Sequence, residues 1–264
     1  MDLIGIHNYL FVELSHPRTR EWQILSPYLI LLITLGYIYF ILYAGPRYMK
    51  NRPPYKLRNF ILLYDFIQIV TNAWFVMELL SVGVFTKYVP ICSNSMFDAS
   101  DATKILNLTW WIILLKLFDY VETCVFVLRK KQNQVSTLHV YHHVSNVTFV
   151  WYFLKYSFDE RGGFIICINC AVHVIMYIHY FMAAWNPKLQ RMILFIKPFI
   201  TRLQMIQFVV IILIMIQSFD PKCSMSKHNK KMIFFFIVNV FIFLYLFYDF
   251  YKKNYIKISK QKNN

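Results

Sequence analysis

His139-Val-Tyr-His142-His143 lies near the middle of the chain, inside one of its most apolar stretches. The spacing i, i+3, i+4 places all three imidazoles on one face of a helix. Ionisable groups are costly inside a membrane, where they turn inward and mark function. Clustered imidazoles have two chemistries open to them. As neutral rings they bind a metal, or without any metal they act as nucleophile or general base.

Further polar residues fall at a similar depth in neighbouring apolar stretches. Lys116, Asp119, Glu122 and Thr123 share a helical face. So do His173, Met176, Tyr177 and Tyr180, with Asn169 one turn before His173, and so do Thr201, Gln204 and Gln207. Lipid cannot satisfy such stripes, so each faces the interior of a bundle. The plain reading is hydrogen-bonding glue between helices, which Asn, Gln, Thr and His provide in membranes. For Lys116 with Asp119 and Glu122, a buried salt bridge competes with a functional role. For His139, His142, His143 and His173, chemistry is the stronger reading.

The elements that must hold these groups are membrane spans. Of 264 residues 58% are hydrophobic and 19% aromatic, with 6 Gly, a composition foreign to a soluble domain. Seven stretches approach or exceed the length that crosses a bilayer, at about 27–45, 59–80, 109–128, 137–154, 163–184, 199–217 and 232–250. The expected fold is all-α, a single polytopic domain over residues 1–264 with seven transmembrane helices. Residues 1–20 lack the charged start and apolar core of a cleavable signal peptide.

The net charge of +15 could suggest nucleic acid, but its distribution argues for topology. Arg47, Lys50, Arg52, Lys56 and Arg58 follow span 1, and Arg129, Lys130 and Lys131 follow span 3. Lys188, Arg191, Lys197 and Arg202 follow span 5, and Lys252, Lys253, Lys257, Lys260 and Lys262 follow span 7. These seventeen of the 28 basic residues lie on one side, which the positive-inside rule makes cytosolic. An odd number of spans then leaves the N-terminus luminal. Lys260 and Lys262, in the cytosolic tail 251–264, resemble a dilysine retrieval signal of the endoplasmic reticulum membrane. On the luminal side, Cys92 and Cys223 sit in the two longest loops, where disulfides form, and are expected to pair. Asn107-Leu-Thr109 is a glycosylation sequon close to the bilayer, and Asn146-Val-Thr148, inside a span, is set aside as one.

Metal-dependent and metal-free readings of the histidines can be weighed by counting. Membrane di-iron desaturases and hydroxylases use several H-x-x-H-H boxes, whereas this chain has one. Of its 8 His, His7, His16 and His228 lie outside the spans. Too few ligands remain for two irons, and no metal is expected. A seven-span receptor or transporter is the non-enzyme alternative. The polar layer on the cytosolic side fits a receptor poorly, and few Gly or Pro break the spans as transporters require.

Taken together the motifs resemble the ELO (ELOVL-type) very-long-chain fatty acid elongases, from about residue 45 to 208. Gly45-Pro46, Met49, Arg52-Pro53 and Leu57-Arg58 are similar to that family's first cytosolic loop. His139-Val-Tyr-His142-His143, with Leu138 before it, is similar to its histidine box. Asn169, His173 and Met176-Tyr177 resemble N-x-x-x-H-x-x-M-Y, and Thr201, Gln204 and Gln207 resemble T-x-x-Q-x-x-Q. Two departures stand out. K-x-x-E-x-x-D-T becomes Lys116-x-x-Asp119-x-x-Glu122-Thr123, and Y-x-Y-Y becomes Tyr177-Ile-His179-Tyr180.

The resemblance implies six of seven helices in an inverted barrel around an acyl tunnel closed toward the lumen. It implies condensation of a long-chain acyl-CoA with malonyl-CoA, releasing carbon dioxide and giving a 3-oxoacyl-CoA two carbons longer. No bound cofactor is implied, and the ketoreductase, dehydratase and enoyl reductase of the elongation cycle are the implied partners. His142 takes the position of the nucleophile, with His173 as its counterpart and His139 and His143 orienting or deprotonating the pair. Asn169, Tyr177, Gln204 and Gln207 would contact the thioester or malonyl group. Lys116, held by Asp119 and Glu122, would serve the acidic substrate. Lys188, Lys197 and Arg202 on the basic rim would meet the CoA phosphates.

Overall fold

The computed structural model describes residues 8–88, 98–223 and 225–256, together with Asp2 and Gly5. No strand occurs among them. The principal helices are α1 (Pro27–Met49), α2 (Arg58–Ser81), α3 (Ala99–Phe118), α4 (Tyr120–Leu128), α5 (Thr137–Tyr156), α6 (Gly162–Trp185), α7 (Lys197–Ile216) and α8 (Lys227–Tyr251). Five helical stretches, those of α1, α2, α6, α7 and α8, are long and apolar enough to cross a membrane. The continuous α3–α4 stretch and α5 are the two that carry Lys116, Asp119 and Glu122, and the three clustered histidines. Large apolar side chains cover the outsides of the spans: Leu32 on α1 is 70% exposed and Leu213 on α7 61%. Only a lipid surroundings accommodates such faces without aggregation.

Local sequence sets the helix ends. Ser26 precedes Pro27 at the first position of α1, where a missing N–H is harmless. Ser136 caps α5 by accepting from the His139 N–H at 3.2 Å, and Ser226 caps α8 by accepting from the Asn229 N–H. Two expected boundaries moved. α3 begins at Ala99 rather than at about 109, and α8 starts at Lys227, because backbone hydrogen bonding continues through polar residues that hydropathy counts as loop.

The helices sort into two compact units interleaved along the chain, Met1–Lys56 with Ala102–Glu160, and Leu57–Asp101 with Arg161–Asn264. In the first, α1 widens to a π-turn over Phe40–Ala44 just before Pro46. Proline has no N–H to close a normal turn and its ring collides with the carbonyl four residues back. The wide turn resolves this, with the Gly45 N–H reaching back to Phe40 O. The same glycine admits α4: a Cβ there would stand 2.7 Å from Val127 Cγ1 and 2.8 Å from Phe40 O. Before α1, a strap folds onto the end of α5. Thr19 Oγ1 donates to Leu154 O at 2.7 Å, the His16 N–H to Lys155 O at 2.7 Å, and Trp151 Nε1 to Leu25 O at 2.9 Å. Burial first, then Arg18, holds the His16 imidazole below its ordinary range against the pull of Glu160, so its Nδ1 is available to accept from the Arg18 N–H.

In the second unit α2 and α6 run antiparallel. Arg58 donates to the carbonyls of Ala184 and Trp185, satisfying two groups that the end of α6 leaves open. Tyr64 meets Tyr177 edge-on at 6.1 Å, and beyond the end of α2 Phe85 meets Phe164 at 5.0 Å. α7 and α8 join through Phe208, 5.6 Å from Phe243 and 5.2 Å from Phe247. Among the described cysteines Cys223 is disulfide-bonded and Cys124, Cys167 and Cys170 are free, while its expected partner Cys92 lies outside the described residues. The dilysine at Lys260 and Lys262 also lies outside them.

Gly45→Ala forces a methyl into both the π-turn carbonyl and Val127. It should cost about 1–3 kcal/mol, read as a lowered thermal unfolding midpoint of the detergent-purified chain; an unchanged midpoint would contradict the packing of α1 on α4.

Candidate functional site

The first unit gathers seven of the expected residues on α3, α4 and α5. α3 ends at Phe118 and α4 begins at Tyr120, with Asp119 at the junction in α-helical backbone geometry. Asp119 reaches back to Lys116, Oδ2 to Nζ 3.6 Å, with both side chains at most 5% exposed. One turn on, Glu122 Oε2 lies 3.8 Å from His143 Nε2. The sequence reading assigned Glu122 to Lys116; its contact with the histidine box was not foreseen.

Thr123 is the pivot of the next layer. Tyr37 Oη donates to Thr123 Oγ1 at 2.9 Å, and the same oxygen lies 3.0 Å from His139 Nε2. Tyr37 is held by a parallel stack on Tyr120 at 3.9 Å, and Tyr120 Oη lies 3.2 Å from Thr34 Oγ1. A hydroxyl both accepts and donates, so Thr123 passes the orientation of α1 through α4 to the first histidine of α5. The rings of His139 and His143 are 4.3 Å apart and those of His142 and His143 5.4 Å. α4 therefore steadies both flanking members of the box, through Thr123 and Glu122. His142 is served by its own helix: Asn146 Nδ2 lies 3.0 Å from His142 Nε2. Lys116 and His139 are within electrostatic range of His142.

The ligand atoms of Glu122, His139 and His143 all lie within 4.8 Å of one another, close enough for one metal ion. All three groups already have partners within the protein, Thr123 for His139 and the Glu122–His143 pair itself.

The second unit holds the remaining motifs. His173 is buried on α6 and meets Tyr177 edge-on at 5.8 Å. Gln204 of α7 approaches Met176 of α6, Nε2 to Sδ 3.6 Å, which ties the two motifs together. Gln207 is buried, and Thr201 turns its hydroxyl to Lys197 O at 3.2 Å. Asn169 sits one turn before His173, half-buried. His179 is 2% exposed, and neither ring nitrogen has a hydrogen-bond partner among the described residues. On the rim, Lys188 and Lys197 are exposed. Arg202 is exposed too, yet it donates to Tyr251 Oη at 2.9 Å and lies over the Phe199 ring at 4.9 Å, so part of its donor set is used within the protein.

Sequence reasoning passed over α2. Tyr64, Asp65, Gln68 and Asn72 are all at most 5% exposed. Gln68 Nε2 donates to Tyr64 Oη at 3.0 Å, and Asn72 Nδ2 lies 2.8 Å from Gln68 O and 3.0 Å from its Oε1. Asp65 Oδ2 has no hydrogen-bond partner among the described residues. The antiparallel register set by Arg58 and Tyr64 places Gln68 level with His173 and Asn72 level with Asn169. The signal was present as the i, i+4, i+8 spacing of 64, 68 and 72.

Five apolar helices of spanning length mark a multi-pass membrane protein, and its first unit brings imidazoles, carboxylates and a lysine together. Comparison with known sequences gives the family. Residues 22–263 match the ELO family, described as the GNS1/SUR4 family. A very long chain fatty acid elongase of Aedes aegypti is 34% identical over 262 residues, 98% of this chain and 71% of that protein. Very long chain fatty acid elongase 1 of Mus musculus is 37% identical over 213 residues, 80% and 76% of the two chains. The Homo sapiens protein of the same name is 33% identical over 245 residues, 92% and 87%. The chain belongs to the ELO family and is an enzyme of fatty acid elongation.

Thr123→Val keeps the shape of the pivot but strands the Tyr37 hydroxyl and leaves His139 without its partner. The loss should be about 1–3 kcal/mol of stability, with turnover falling as the box loosens. Wild-type thermal stability and turnover together would show that the Tyr37–Thr123–His139 chain holds nothing in place.

Proposed function

We propose that the chain is the condensing enzyme of fatty acid elongation, a 3-oxoacyl-CoA synthase that joins a long-chain acyl-CoA to malonyl-CoA. The observation that carries this reading is the histidine box of α5, in which two imidazoles are fixed from α4 and the third, His142, is held on its own helix at Nε2. Such an arrangement suits a nucleophile supported by oriented neighbours. A neutral imidazole of His142 attacks the thioester, CoA departs, and the acyl group stays activated on the ring. Malonyl-CoA then loses carbon dioxide, and its carbanion takes the acyl group to give the lengthened 3-oxoacyl-CoA and restore His142. The scheme asks for no metal or bound cofactor.

The other residues take roles around that sequence. His173 is the counterpart of His142, and His139 and His143 steady the nucleophile and carry protons. Asn169, Tyr177, Gln204 and Gln207 bind the thioester or malonyl oxygens. Lys116, paired with Asp119, is the cation nearest in kind to what a malonyl carboxylate requires. Lys188, Lys197 and the uncommitted donors of Arg202 meet CoA phosphates.

In this reading α3–α4 and α5 also span, giving seven transmembrane helices, six of them an inverted barrel around the acyl tunnel in one domain. The basic loops face the cytosol of an endoplasmic reticulum membrane, with the N-terminus luminal, the C-terminus cytosolic and Cys92 joined to Cys223. The ketoreductase, dehydratase and enoyl reductase of the cycle act on the product.

The test uses metal-chelated, purified protein with long-chain acyl-CoA and radiolabelled malonyl-CoA. The wild type should yield labelled 3-oxoacyl-CoA and, before malonyl-CoA is added, an acyl adduct on His142. His142→Ala should lose about 10³-fold or more of this turnover while keeping its unfolding midpoint. Turnover that survives in the variant, or that appears only with added iron and reductant, would sink the reading.

A further inference from the structure

The polar residues that follow the histidine box on α5 satisfy themselves in two different ways. Ser145 Oγ donates to Tyr141 O at 2.7 Å and Thr148 Oγ1 to Val144 O at 2.8 Å, the habitual solution for hydroxyls inside apolar helices. Asn146, between them, does otherwise. Its Nδ2 lies 3.0 Å from His142 Nε2, one turn back, and its side chain makes no other hydrogen bond among the described residues. The contact lies within one helix, so it joins no helices and is not packing glue. Asn is also a poor helix former and expensive to desolvate. An amide N–H donates, so Nε2 accepts, and a neutral His142 then carries its proton on Nδ1. The lone pair that would open a thioester is thus covered, at rest, by a hydrogen-bond donor with its carbonyl end and second N–H uncommitted.

We propose that Asn146 is a catalytic residue of the acyl-transfer step, its amide N–H moving from His142 Nε2 to the thioester oxygen as the charge develops there. The inference rests on the reading of His142 as the nucleophile. In the addition, Nε2 forms a bond to the carbonyl carbon and the C=O π pair moves onto oxygen. An oxygen one bond beyond that carbon falls within reach of an N–H that begins 3.0 Å from Nε2. Collapse restores C=O and breaks C–S. The thiolate of CoA takes the Nδ1 proton of the acyl-imidazolium, leaving a neutral acyl-imidazole and CoA thiol, so protons and electrons balance with no further reagent. The donor also fixes the tautomer: with the proton on Nδ1, only Nε2 can attack.

The experiment follows acyl transfer alone, on the full chain in detergent with long-chain acyl-CoA and no malonyl-CoA. CoA thiol release is timed, and the adduct is located by peptide mass. Asn146→Leu, similar in volume but without donors, should slow adduct formation about 10²-fold with the KM for acyl-CoA within about threefold, since a ground-state binding role would move KM instead. Asn146→Gln, which keeps the amide, should recover part of the rate. Its unfolding midpoint serves as the folding control if the leucine variant is unstable. Wild-type adduct formation in Asn146→Leu, or a loss confined to KM, overturns the assignment and leaves His142 standing. A wild type that forms no adduct at His142 overturns both.

Discussion

Most of this structure answers to one constraint: a polar group buried among apolar helices needs a partner within the protein. A buried donor or acceptor left open costs about 1–3 kcal/mol, more than most single packing contacts return. The structure meets the constraint by two routes. Some groups are satisfied along their own helix, as in Tyr64–Gln68–Asn72 on α2 and Ser145 and Thr148 on α5. Others are satisfied between neighbouring helices, as in Tyr37–Thr123–His139 and Glu122–His143. Routes of the second kind dictate how closely helices approach. Gly45 is where that demand becomes steric, since α1, which carries Tyr37, packs on α4 only if nothing larger than hydrogen faces Val127.

Much of this was legible in the sequence, because hydropathy and charge are bulk properties that survive without coordinates. Five of the seven apolar stretches are helices of spanning character, and the His box, the Asn169–His173 motif and the Gln204–Gln207 motif fall on helices as their spacing requires. Direction of contact was less legible. Periodicity reads Lys116, Asp119 and Glu122 as one continuous face, whereas in the structure Asp119 closes an ion pair one turn back on Lys116 and Glu122 turns to His143. The α2 ladder was overlooked because scattered polar residues in an otherwise apolar span look like tolerated exceptions until their four-residue spacing is noticed. Asn146 was judged only as a sequon, a test of glycosylation that says nothing about the histidine one turn away.

The three members of the box are chemically alike but differ in what holds them. His139 faces a hydroxyl that can accept or donate, so its tautomer follows the Tyr37–Thr123 pair. His143 faces a carboxylate, which favours a ring that presents N–H at Nε2. His142 faces an amide donor, which favours the opposite tautomer, with the Nε2 lone pair accepting from Asn146. Identical residues at i, i+3 and i+4 are thus divided by their partners, two held from a neighbouring helix and one from its own, a division that spacing alone could not predict.

The same geometry accounts for the exchange of carboxylates by which this chain departs from the pattern K-x-x-E-x-x-D-T. At the first position the short Asp119 sits at the junction of α3 and α4 and reaches Lys116 at 3.6 Å. At the second, the extra methylene of Glu122 carries its carboxylate to 3.8 Å from His143 Nε2, a gap already at the limit of an ion pair. Shortening that residue would withdraw the oxygen from the ring. Lengthening Asp119 would crowd a side chain that is only 1% exposed beside a lysine equally enclosed. Charge is kept on each turn, and the longer arm stands on the turn that faces His143 of α5.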